Sequence, residues 1–411
     1  MTAVSRGLIT TLVTGGLVVA LTACSSSNSE APEEAGTTAA AASGPLKVGA
    51  ILPHTAYAGA GEALVSAVDV AAEDINAAGG VNGSAIELKQ VDSTDNNDTA
   101  VQAVDSLITS GSNVVIGAYG SGMSGAIVGK ITESGAVQIS GSNTSSSLTG
   151  INPLYFRTAP TDALEAAKLA DLVVQDGHAS AAIIAQNDAW GQAFQKSMVE
   201  AFEAAGVEVV AQQQFNTTDT DYSAQVDAVV AAKPESVVLL SYASYSGSMI
   251  ESLVGTHGFT DKNLYLSNST LGKYTIKPSL LKGLRGFLAG PDPAVEADFE
   301  KKLLAKNPDL TSFAYAGSTY DAVVVSALAA IAAKSNDGKA IAGKLAEVSG
   351  GAEGSTKCTT FKECADLLAA GKAVDYDGLS GGLKFASNND VTETAYQLYV
   401  YDDKGSYAVA P

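Results

Sequence analysis

Residues 114–125 read VVIGAYGSGMSG and residues 137–147 read VQISGSNTSSS. Each opens on a short apolar run bounded by glycine, too short for a helix, and so predicts a buried strand. Each then breaks into Gly, Ser, Asn and Thr. A helical pattern follows the first break at residues 126–133 and, more weakly, the second past Leu148. A strand that ends in Gly and Ser at a helix start leaves unpaired backbone N–H groups, and the helix dipole sets partial positive charge beside them. Such a place takes a carboxylate or a phosphate without any Lys or Arg. A plainer reading stays open: tight turns that need Gly for their backbone angles, with Ser121 and Thr144 as helix caps.

Residues 120–125, GSGMSG, also match the dinucleotide pattern G-x-G-x-x-G. That pattern belongs at the first strand of a βαβ unit, with an acidic residue about 20 positions on for the ribose. Here it follows the third predicted strand, and the corresponding position falls in a Ser/Thr loop. A small anion or zwitterion suits the stretch better than a nucleotide.

Working outward, strand and helix patterns alternate on both sides. Strands are expected at residues 46–52, 86–91 and 154–158, with helices at 62–78 and 99–109. A second series begins at Asp162, with strands at 181–185, 207–215, 236–242 and 263–266 and helices between them at 191–205, 222–231 and 246–256. A strand at 284–289, helices at 295–306 and 313–334, and a strand at 394–402 complete the reading, with GLSGGL at 378–383 suggesting a further crossing. The Ala-rich segment at 313–334 reads as buried, too interrupted to span a bilayer. This pattern predicts an α/β fold of two doubly wound parallel-sheet lobes joined by several hinge strands. The expected division is 45–160 plus 290–384 for one lobe and 161–289 plus 385–411 for the other. Ligands of such sheets sit beyond the carboxyl ends of the strands, which here places them between the lobes, where hinge closure can enclose a small solute.

The 411 residues carry 46% apolar residues, enough for large cores, and a formal charge of −20. Such a surface repels nucleic acid, and no basic cluster offsets it; self-repulsion fits a monomer. Residues 1–24 read as a leader: Arg6, an apolar stretch from Leu8 to Ala20, then LTAC ending at Cys24. LTAC resembles a bacterial lipobox, in which the cysteine is lipidated and anchors the chain to the membrane. Residues 25–44 are low-complexity and polar, a flexible tether. Cys358 and Cys364, in KCTTFKEC, favour a disulfide in an exported chain. The three histidines make no metal-ligand spacing, and neither a metal nor a cofactor is expected. No G-x-S-x-G elbow with its partners and no HExxH occurs, which argues against a hydrolase.

From about Leu46 to its end the chain resembles the periplasmic branched-chain amino-acid binding proteins, solute receptors of ABC importers with the type I periplasmic-binding fold. The marks are INAAGGVNG (75–83), VVIGAYGSG, ISGSNTSSSLT from Ile139, FRTAPTD (156–162) and TDYSAQV (220–226). The cysteine segment and YDGLSGGL look like a subgroup of these lipoproteins. The resemblance implies a permease and an ATPase as partners, an extracytoplasmic location, and an amino acid held by its carboxylate at the two opening turns. Ser121 takes the place of the first-turn serine. Ser142 and Thr144, with Asn143 between them, take the second turn. Trp190 and Tyr242 match ligand-facing aromatics of the second lobe, and Tyr57 lies in the loop at the mouth. By residue type alone, Trp190 reads equally well as packing, and Tyr242, at a strand end, more often as packing than as a ligand contact. In the family a Glu facing the ligand's ammonium stands where this chain has Ser269. Either another acid such as Asp162 or Asp292 serves, or the solute is an amide, urea or aromatic acid. A receptor that signals through a partner protein is a further reading.

Overall fold

The computed structural model describes residues 44–57, 60–290, 293–392, 394 and 396–410. The expected leader with Cys24, the tether up to residue 43, and Asp292 lie outside the described residues. The first half runs β1 (Lys47–Leu52), α1 (Ala60–Ala77), β2 (Glu87–Asp92), α2 (Asn97–Thr109), β3 (Val114–Gly117), α3 (Ser121–Glu133), β4 (Val137–Ser140) and β5 (Tyr155–Arg157). Its five strands form one parallel sheet in the order β2-β1-β3-β4-β5. The period of two sorts their side chains between two cores. Val48, Ala50, Val114 and Ile116 pack toward α1, while Ile51 and Val115 pack toward α2 and α3.

The chain then crosses to α4 (Asp162–Gln175), β6 (Ser180–Gln186), α5 (Ala189–Ala205), β7 (Glu208–Phe215), α6 (Ser223–Ala231), β8 (Ser236–Leu240), α7 (Ala243–Ile250), β9 (Leu264–Leu266) and β10 (Arg285–Ala289). It crosses back to α8 (Pro293–Lys306), α9 (Ala316–Ala333), α10 (Gly338–Ser349), β11 (Thr356–Cys358), α11 (Phe361–Ala369), β12 (Val374–Gly378) and β13 (Gly381–Gly382). A third crossing delivers β14 (Tyr396–Tyr401) and β15 (Tyr407–Val409). The second sheet has the order β15-β14-β10-β9-β8-β6-β7. It is parallel from β7 to β10, with β14 and β15 added antiparallel at one edge. The expected α/β architecture, two doubly wound parallel-sheet lobes joined by crossing segments, is what the chain adopts.

Several details differ from the sequence reading. The second turn leads into a single 3-10 turn at Ser146–Leu148, not a helix, so only the first turn meets a helix dipole. The segment 313–334 yields an uninterrupted helix, α9, of 18 residues. It is apolar enough by length and composition to cross a membrane, yet 78% of it is buried inside the first lobe, against α1 and the first sheet. The GLSGGL stretch turns between β12 and β13 in a small third sheet and is not itself a crossing. Phe385 packs edge-on against Phe156 with ring centroids 5.5 Å apart, and Phe385 and Val391 join the first lobe's core. The last crossing therefore follows Val391, later than residue 384. Cys358 and Cys364 are disulfide-bonded, tying β11 to α11.

Candidate functional site

Gly120, with φ of 88°, turns the chain from β3 into α3 and caps it without any side chain. Ser124 N is the first amide of α3 to find a helical partner, Gly120 O at 3.2 Å. The amides of Ser121, Gly122 and Met123 are thus the orphan donors expected at a helix start. The second turn is built differently. Ser140 Oγ accepts from the amides of Ser142 at 3.3 Å and Asn143 at 3.2 Å, and Ser121 Oγ accepts from Ser145 N at 3.3 Å. The Thr144 amide alone, of residues 142–145, has no partner among the described residues. The hydroxyls are therefore more important here than the sequence reading allowed.

Two supports fix this turn. α9 presses on it so closely that a Cβ on Gly141 would meet Thr319 Cα at 2.4 Å, and Ser318 Oγ donates to Gly141 O at 2.6 Å. From the other side comes Arg157, fully buried. Its Nη1 donates to Ser145 O at 2.7 Å, its Nη2 to Thr149 Oγ1 at 2.9 Å, and its Nε pairs with Asp390 at 2.6 Å. Sequence reasoning missed Arg157 as a functional residue, although it stands inside the FRTAPTD motif.

The second lobe supplies the opposite wall. Trp190 lies in the first turn of α5, capped by Asp188, whose carboxylate accepts from Gly191 N at 2.7 Å. Gly191 must be glycine, since a Cβ there would sit 2.0 Å from Gln186 O. Tyr242 follows β8 and lies parallel to Trp190, with centroids 4.8 Å apart and 8° between planes. Ser269 sits in the 3-10 turn Asn268–Thr270 and donates to Asn268 Oδ1 at 2.7 Å.

These walls enclose a cavity of about 10 Å³ lined by Tyr119, Gly120, Ser121, Ser142, Thr144, Trp190, Tyr242, Ser269 and Tyr315. That is room for about one water, against roughly 300–1,000 Å³ for a ligand pocket; the lobes stand closed and must part to admit a solute. Trp190 Nε1 bridges them, donating to Thr144 Oγ1 at 3.1 Å, and Ser146 and Ser197 hydroxyls meet at 3.2 Å. Ser121 is 4% and Thr144 3% exposed, yet both line the interlobe cavity.

Six of the eight expected residues thus come together: Ser121, Ser142, Thr144, Trp190, Tyr242 and Ser269. Tyr57 stands just outside, with its ring 4.9 Å from Tyr119 and 5.8 Å from Tyr242. Burial pushes its hydroxyl up to about 12. Asn143 is a correction. Its amide faces inward, donating to Ala118 O at 3.0 Å and accepting from Tyr155 Oη at 2.9 Å, so it braces the turn and does not line the cavity. Tyr119 and Tyr315 were missed. Tyr119 stood in the opening stretch, just past the strand that ends at Gly117, and was not singled out there. Tyr315 comes from the segment before α9 and carried no local signal.

Two buried carboxyls stand in the first turn of α4. Burial pushes Asp162 up to about 7, opposed by the Thr144 hydroxyl, the Arg157 charge and the Trp190 indole. Glu165 is held well above the usual carboxylate range by burial, and takes both the amide and the side chain of Asn268. Among the described residues no Lys or Arg lines the cavity.

Two α/β lobes, three crossings and a closed cavity of hydroxyls and rings where the lobes meet define a solute-binding protein of the periplasmic type. A family model described as periplasmic binding protein matches residues 45–406, and the chain belongs to that family. Its fold and family are those of solute-binding proteins, not of enzymes, and the family acts outside the cytoplasm. The chain is 24% identical over 374 residues to the chemotactic signal transduction system substrate-binding protein BasB of Halobacterium salinarum, covering 88% of each chain. It is 26% identical over 346 residues to Leu/Ile/Val-binding protein homolog 3 of Brucella melitensis, covering 80% of this chain and 90% of that one. The leucine-binding protein LivK of Thermotoga maritima shares its fold with a TM-score of 0.72 at 18% identity, over 89% of this chain and 98% of that one. An ABC-transporter solute-binding protein from R. palustris, solved with benzoate, superposes with a TM-score of 0.68 at 19% identity, over 89% and 95% of the two chains.

Proposed function

We propose that this protein captures a small carboxylate-bearing solute, first among them a branched-chain or other amino acid, by closing its lobes on it, and delivers it to the permease and ATPase of an ABC importer. The composition of the cavity wall carries the reading. One lobe offers orphan α3 amides and the hydroxyls of Ser121, Ser142 and Thr144. Those donors suit a carboxylate without a cation. Trp190 and Tyr242 of the other lobe, with Tyr119 and Tyr315, supply rings for an apolar side chain. The Leu/Ile/Val-binding relative and the leucine-binding neighbour support an aliphatic amino acid.

The benzoate-bound neighbour supports a second reading, an aromatic acid, which the same rings would stack upon. The chemotactic relative supports a role as the solute-reading partner of a sensor. LTAC at residues 21–24 supports lipidation of Cys24 and attachment to the cell membrane through the tether. A thermal-shift screen of the purified protein, followed by calorimetry, tests the reading against the twenty L-amino acids, short amides, urea and aromatic acids. One chemical class raises the melting temperature and titrates with one site per chain. A screen in which no carboxylate-bearing member does so contradicts the proposal.

A further inference from the structure

A second, larger cavity lies beside the crossings. Its volume is about 300 Å³, against about 10 Å³ for the closed solute cavity, and it falls at the lower end of the range for small-molecule sites. Pro160, Gly290 and Thr394, one from each of the three crossings, line it. Both lobes supply its wall: Phe299, Phe313 and Leu379 from the first, Leu288, Tyr399 and Tyr407 from the second. The wall is preformed on either side. Asp321, fully buried in α9, accepts from the amides of Leu379 at 2.9 Å and Ser380 at 2.7 Å and from Ser380 Oγ at 2.5 Å, which fixes the turn between β12 and β13. Tyr399 and Tyr407 pack edge-on with ring centroids 5.8 Å apart.

Among the described residues two charged side chains line this cavity, Lys273 and Glu300. Glu300 is already engaged. Lys273 is exposed, so it stands at the rim, and it makes no ion pair or hydrogen bond among the described residues. A chain with a formal charge of −20 thus places an unpaired cation at the edge of a cavity lined by rings and aliphatic side chains.

We propose that this hinge-side cavity is a second binding site, for an organic anion with an apolar body. The anionic group meets the Lys273 ammonium, and the body lies among the rings. The site is separate from the solute cavity, and two residues link the two. Tyr315 lines both. Ser318 lines the larger one and donates to Gly141 O at 2.6 Å, in the turn that carries Thr144. Because the wall belongs to both lobes and to all three crossings, parting the lobes pulls it apart. An occupant therefore binds the closed arrangement more tightly and shifts the lobes toward it by that difference in affinity.

The test uses 2-naphthoate, an anion with a flat apolar body, and its uncharged counterpart 2-naphthamide, titrated calorimetrically into the full-length protein and into Lys273→Gln and Ser121→Ala. The wild type should bind 2-naphthoate about fivefold or more tightly than 2-naphthamide. Lys273→Gln, a change at an exposed position, should lose about that factor for the anion and change little for the amide. Ser121→Ala should leave 2-naphthoate binding as it is, because that serine lines the other cavity. Saturating 2-naphthoate alone should lower the radius of gyration measured by small-angle X-ray scattering. No binding of 2-naphthoate, binding undiminished in Lys273→Gln, binding lost in Ser121→Ala, or binding without contraction would each overturn the inference. Capture of a solute in the closed cavity is measured by its own screen and stands or falls apart from these results.

Discussion

Ser121 and Thr144 stand on the two turns that face Trp190 across the cavity. Each hydroxyl is a donor that a buried carboxylate would otherwise lack, so Ser121→Ala or Thr144→Val should weaken solute binding by about 1–3 kcal/mol. Calorimetry of both variants checks this, and unchanged affinity in both would remove the turns from the site. These two residues were legible because turn chemistry is local: Gly and Ser after a short apolar run mean the same thing in any fold. Trp190, Tyr242 and Ser269 were legible only through the family resemblance. Asn143 was misread because its partners, Ala118 O and Tyr155 Oη, become neighbours only when the sheet has formed. Tyr315 was invisible for the same reason, since α9 brings it back from far along the chain.

At the scale of the element, the second turn is a loop held rigid from outside. Arg157 on β5 grips its carbonyls and is itself neutralised by Asp390 from the segment after β13. Replacing one partner leaves a buried charge uncompensated. Arg157→Met should therefore cost about 3–5 kcal/mol of stability, and the double variant Arg157→Met, Asp390→Leu should recover much of it. Chemical denaturation measures both, and a single variant as stable as the wild type would refute the role. The solute affinity of Arg157→Met should fall as well, because the turn that carries Thr144 loses its brace. A pairing between residues so far apart in sequence leaves no local trace. The elements from α10 to β13 were equally hard to read. They are short, and α10 and α11 bury only one face each under α9, so neither produces a long periodic run. The strands and helices of the two sheets were legible because each is long or apolar enough for its period to show.

Across the whole molecule, the alternation of strand and helix made two lobes readable, and the position of the cleft followed from where parallel strands end. The point of the third crossing was not readable, because it depends on Phe385 packing edge-on against Phe156. The closed state is held by contacts that a solute must first displace: Trp190 on Thr144, Ser146 on Ser197, and the rings of Tyr57 and Tyr119 against Tyr242. Opening and closing therefore change the surroundings of Trp190, the only tryptophan in the chain. The central claim, that a solute is gripped between the lobes at this cavity, is tested most directly by following Trp190 emission during titration with the solute that the calorimetric screen selects. The account predicts a shift in emission that saturates at the same concentration as the heat. A solute that saturates by calorimetry while the emission stays unchanged would contradict it.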